Sequence, residues 1–264
     1  MGQLFKMLSV SLLLWGGLAV QSANAQSANT QSERSGPVIN ERYPPIDDPW
    51  DATSYRALAE RVETEGLALP TLSDAATKPV FERMVNVDNI PLRMGLNKKL
   101  SIGIRYQRLD SAVQPIHRLV GLYSNETQKG KPYAQELARL MVYESKIFAA
   151  FLELSEPWLS TVQTDKRYQV HVAYHDKVKG DARQLYSSLV RGMTETRRYS
   201  KSDILRMIEG ALDGLSSYQQ IFTDQDRLDL VEMLTQQISK TTDRELKTAL
   251  TDLRDSIKNR RVRT

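Results

Sequence analysis

Hydrophobic positions fall along this chain in three patterns: one unbroken run near the N-terminus, helical stripes through most of the remainder, and two short stretches of strict alternation. The run extends from Met7 to Val20 (MLSVSLLLWGGLAV), with Lys6 before it and a polar stretch ending in Ala23-Asn24-Ala25 after it. A basic end, an apolar segment of about 14 residues and a small-x-small site make a secretory signal peptide. The run falls short of the roughly 20 apolar residues that a spanning helix needs. Residues 1–25 are therefore expected to be removed, leaving Gln26 as the first residue of an exported protein. No later apolar run reaches spanning length, so no transmembrane segment is expected after processing.

The next segment, 26–50, pairs the small polar string QSANTQSERSG with YPPIDDPW, which holds three prolines. Proline has no amide proton and breaks helical bonding, so these residues read as a flexible leader. Helical spacing begins near Thr53, with Leu58 and Val62 on one face and Gly66 as a stop. A second helix is expected over 73–85, limited early by Pro79, and then a loop from Asn86 to Lys99.

Alternation appears twice. Leu100, Ile102, Ile104 and Tyr106 alternate with polar or small residues, and so do Tyr168, Val170, Val172 and Tyr174. Period two with β-branched and aromatic residues is a strand signal, which leaves room for one small two-stranded β element. Everything else is helical. Ser111-x-x-Gln114 has a capping-box pattern, with Pro115 early in the helix it would open. The longest helix is expected from about Pro132 to Leu154, and another from Asp181 to about Thr196. Ser200-x-x-Asp203, Thr223-x-x-Asp226 and Thr242-x-x-Glu245 then cap three apolar stripes: Ile204, Ile208, Leu212 and Leu215; Val231, Leu234 and Ile238; Leu246, Leu250, Leu253 and Ile257. Three capped helices with short loops must pack on one another to bury those stripes. The reading is a mainly α protein in which residues 51–264 form a single compact helical bundle.

Composition narrows the function. The 264 residues contain no cysteine and carry a formal charge of +4, which loss of Lys6 with the signal peptide lowers by one. The fold must therefore hold without disulfides, and both thiolate chemistry and a lipid anchor on cysteine are excluded. So mild a charge calls for no nucleic-acid partner. The address is periplasmic or secreted, in a bacterial envelope. The sequon Asn125-Glu126-Thr127 keeps a eukaryotic secretory route open.

Glu144 stands out among candidate site residues. Leu137, Leu140, Met141, Ile147, Phe148 and Phe151 fill one broad face of the long helix, and Glu144 falls near its middle. A carboxylate there must pair, protonate or face a cavity. Desolvation can make it a general acid; pairing with Arg105, Arg118 or Arg139 would make it structural. Glu144-Ser145, within YESKIF, resembles the catalytic glutamate-serine step of lytic transglycosylases, helical periplasmic enzymes that cleave peptidoglycan. The resemblance covers about six residues and implies Glu144 as general acid. It departs in placing Phe148 three rather than two positions after the serine. The family's glycine-methionine-glutamine motif is missing as well, since Arg191-Gly192-Met193-Thr194 has threonine in place of glutamine.

His171 and His175 lie four residues apart, the spacing at which two helical histidines share a zinc ion, but Val172 stands where the catalytic glutamate of that motif belongs. They read as surface histidines. No nucleophile elbow, Gly-rich phosphate loop or other cofactor motif is present, so no cofactor is expected. Lys258, Arg260, Arg261 and Arg263 form a basic tail that suits a helix C-terminus and could touch an anionic surface weakly. The function expected on these grounds is that of a soluble accessory or scaffold protein binding another cell-envelope protein through a helical face. A glycan-cleaving enzyme using Glu144 and a small-ligand binder with a pocket between helices are the alternatives.

Overall fold

The computed structural model describes residues 42–90 and 100–259, and among them every regular element is a helix. In chain order these are α1 (Ala52–Thr64), α2 (Lys78–Met84), α3 (Ile102–Gln128), α4 (Ala134–Thr161), α5 (Tyr168–Thr194), α6 (Lys201–Tyr218), α7 (Asp224–Lys240) and α8 (Arg244–Lys258), with a 3-10 turn at Val87–Asn89. The expected signal peptide and most of the expected leader lie outside the described residues. So do Arg260, Arg261 and Arg263 of the tail.

Helix α4 is the hub. It packs on α3, α5 and α6; α6 in turn meets α5 and α8, α7 rests on α8 and α5, and α1 lies against α3. The sequence explains the position. From Val142 to Leu154 the helix is apolar nearly all round, with Val142, Tyr143, Ile147, Phe148, Ala149, Ala150, Phe151, Leu152 and Leu154 all buried. A helix with so narrow a polar face has little to show to water and is largely enclosed by its neighbours. It also runs past its expected end, through Pro157 to Thr161.

Both alternating segments are helical, lying in α3 and α5, which corrects the β element allowed for them. A helix turns about 100° per residue, so an alternating sequence cannot bury all its apolar members. Ile104 and Val170 are left 44% and 65% exposed, while Tyr106 goes inside and Tyr174 is half-buried. The expected cap at Ser111 is likewise corrected: α3 begins at Ile102, capped by Ser101, whose hydroxyl accepts from the Ile104 amide. Ser111 and Pro115 thus fall within one 27-residue helix. There the Ser111 hydroxyl donates to the Arg108 carbonyl, and Pro115 is buried. Helix α5 similarly starts at Tyr168 rather than Asp181.

Local signals at the C-terminal end are realised closely. Ser200 with Asp203 and Thr223 with Asp226 form complete capping boxes. At α8 the cap is Asp243 rather than Thr242, its carboxylate accepting from the Leu246 amide at 3.0 Å. Gly66 ends α1 in the left-handed conformation, φ +65°, as a glycine after a helix does. Leu234, Leu250, Leu253 and Ile257 are fully buried.

Residues 42–50, at the end of the expected leader, lie on the helical body. Tyr43 and Trp50 are buried, and the Trp50 amide donates to Asn89 Oδ1 at 2.8 Å. The Asn89 amide nitrogen reaches the Tyr55 hydroxyl at 3.0 Å, which lies 2.7 Å from that of Tyr143. This buried polar chain ties Trp50, α1 and the 3-10 turn to the hub helix.

Candidate functional site

Glu144 sits on α4, 1% exposed, and its partner is a histidine. Oε1 lies 2.8 Å from Nδ1 of His117, on α3. The expectation of an arginine is corrected here: Arg118, one residue further along α3, turns outward and pairs with Glu63. A helical hairpin makes the match. His117 and Glu144 are 27 residues apart and equidistant from the Gly130–Lys131 step between the two helices. Gly130 takes φ +85° there, which glycine adopts without strain.

The pair is asymmetric. The Glu144 carboxylate is sealed, and its Oε2 is buried without a hydrogen-bond partner, whereas the His117 side chain remains 42% exposed. Hydrogen bonding to Glu144 raises the His117 pKa above its ordinary 6.5; burial opposes this, and the charges of Glu144 and Asp181 add to it. The imidazolium form is thus favoured by the carboxylate behind it.

Two neighbours limit what this pair can do. The Ser145 hydroxyl donates to the Tyr218 hydroxyl at 3.3 Å, and Tyr218 donates back to the Ser145 carbonyl at 3.0 Å. The serine is fully buried and faces α6, as adjacent helical residues must point apart. Among the described residues no nucleophile is hydrogen-bonded to His117, so no Ser-His-acid relay is formed there. A glycosidic general acid must also reach the leaving oxygen of a bound sugar. Two cavities among the described residues are lined without Glu144. One, about 640 Å³, lies between the ends of α5, α7 and α8, lined by Thr194, Arg197, Gln237, Lys240 and Thr242. The other, about 260 Å³, lies between α4, α6 and the end of α2.

The two histidines of α5 diverge. His171 stands edge-on to Trp158, ring centroids 5.1 Å apart, with Nε2 3.8 Å from Asp165 Oδ2. His175 is 1% exposed, which corrects its reading as a surface residue, and its Nε2 is buried without a partner. Burial lowers its pKa, and Lys179 lowers it further, so the ring is held neutral. Among the described residues no three His, Asp or Glu side chains gather as metal ligands. Lys258 closes α8, where a cation suits the helix terminus.

His117 and the cationic lining of the smaller cavity carry no motif. The available signal was geometric: two helices of similar length joined by a glycine-containing turn set residues equidistant from that turn across from each other. Compared with known protein families, with curated proteins and with solved structures, the chain has no match.

Proposed function

We propose that this chain is an exported accessory or scaffold protein of the bacterial cell envelope, binding another envelope protein through a helical face. The observation that carries the reading is the closure of Glu144. The residue that resembles a lytic acid is shut inside the bundle and bonded to His117, away from either cavity. This closure supports a binding role over glycan cleavage at Glu144. The N-terminal apolar run with its small-x-small site supports export. No helix among the described residues is long and apolar enough to cross a membrane.

The test is recovery of a C-terminally tagged chain from a periplasmic extract after mild cross-linking. The expected result is a stoichiometric partner protein and a processed N-terminus at Gln26. Recovery as an isolated chain with Met1 intact would refute both parts. Release of soluble fragments from peptidoglycan by the wild-type protein would favour the enzyme instead.

A further inference from the structure

The smaller cavity joins two charged helix stripes. Arg139, Val142, Tyr143 and Lys146 recur on one face of α4 at helical spacing, and Arg206, Glu209 and Gly210 do so on α6. The stripes meet closely because Gly210 has no side chain; a Cβ there would lie 2.4 Å from Val142 Cγ1. Val85 and Val87, 37% exposed in the case of Val87, complete an apolar wall.

The cations facing this space are incompletely matched. The Arg139 side chain forms no hydrogen bond or ion pair among the described residues, and its Nε is buried without a partner. Glu82, Asp203 and Glu136 act on it only at longer range, while burial and the neighbouring Arg206 both weaken its hold on a proton. Arg206 has a buried, unbonded Nη1 that comes no nearer than 3.8 Å to Asp203. Lys146 is held by Asp213 at 3.1 Å, and Glu209 is the one carboxylate on the lining. Two guanidinium groups from different helices thus border one open space with hydrogen-bond capacity unused. The sealed Arg139 Nε and Arg206 Nη1 are out of a ligand's reach, but the other nitrogens of both guanidinium groups make no hydrogen bond among the described residues, and a planar oxyanion satisfies arginine forks best. At about 260 Å³ the cavity is smaller than the roughly 300–1,000 Å³ usual for cofactors and drug-sized ligands. It suits one or two side chains.

We propose that this groove docks an acidic peptide segment of the protein partner, a Glu or Asp side chain lying between Arg139 and Arg206 and an aliphatic neighbour resting on Val85, Val87 and Val142. The proposal rests on the accessory reading only in taking a protein as the source of the carboxylate.

The experiment is an NMR titration of the purified protein, carrying labelled valine methyls, with the capped peptides Leu-Glu-Glu-Leu and Leu-Gln-Gln-Leu. The expected result is movement of the Val85, Val87 and Val142 signals by the glutamate peptide. Binding should be at least about tenfold weaker for the glutamine peptide, and for the glutamate peptide with Arg139→Gln or Arg206→Gln protein. Equal response to both peptides, no movement of these signals at millimolar peptide, or undiminished binding by folded arginine variants would overturn the assignment. So would inorganic phosphate binding the same signals more tightly than the glutamate peptide, since the groove would then serve a free anion. If the arginine variants do not fold, the peptide comparison on wild-type protein still decides. A partner captured equally well by wild type and by folded Arg139→Gln would sink the groove and spare the accessory reading; peptide binding with no partner captured would do the reverse.

Discussion

His117 holds Glu144 from the outside: the acid is closed within the bundle, while the base that bonds it at 2.8 Å keeps 42% of its side chain in solvent. The base can therefore exchange its proton with water while the acid it serves cannot be reached.

That arrangement fixes the sign of a pH dependence. The His117 pKa is raised in the folded protein, so its contribution to stability is complete below the ordinary value of 6.5 and is lost as pH rises through the raised value. Urea unfolding of wild type and His117→Gln between about pH 5 and pH 9 should show a gap that is widest at the acid end and narrows upward. A gap that widens with pH would contradict the pairing.

Glu144→Gln should lower stability by about 1–3 kcal/mol, below the roughly 3–5 kcal/mol expected for a fully buried pair, because water can solvate the stranded imidazolium. Calorimetric melting of the variant measures this. Wild-type protein incubated with purified peptidoglycan should release nothing. Wild-type release that disappears in the variant, at unchanged melting temperature, would reverse the assignment.

The α4–α6 contact allows a test by rescue. Gly210→Ala gains helix propensity yet drives a methyl group into Val142, and overpacking of this kind costs about 1–3 kcal/mol. Adding Val142→Ala should recover part of the loss, giving a favourable coupling in a double-mutant cycle. Additive losses would mean that the helices separate readily at this point.

Leu234 and Leu250, from α7 and α8, are fully buried. Truncating either to alanine should cost about 2–5 kcal/mol, read from denaturant midpoints. Losses under about 0.5 kcal/mol at both would show these helices to be peripheral to the core.

Legibility in the sequence followed the range of the forces involved. The capping boxes at Ser200 and Thr223 act within one turn, and the stripes through Leu234 and Leu250 need only a neighbour, so the last three helices could be read directly. The same local logic misled at Ser111, where a capping pattern lies inside a continuous helix because the helix already has its cap at Ser101. It misled again at Ile104 and Val170, whose exposure in a helix leaves a false trace of alternation. Glu144 was legible as buried because a carboxylate interrupted an apolar face. Its partner was not, since His117 is set by how α3 and α4 lie together rather than by any residue near either one.

The enclosure of α4 by three neighbours has a further consequence in time. Its amide hydrogens have no nearby edge from which to fray, so they should exchange with deuterium only when the whole bundle comes apart. Helices at the rim of the bundle should open locally at lower cost, with the hub still in place. The slowest-exchanging protons of the molecule should therefore mark the stretch from Val142 to Leu154, with Glu144 held inside the last region to melt.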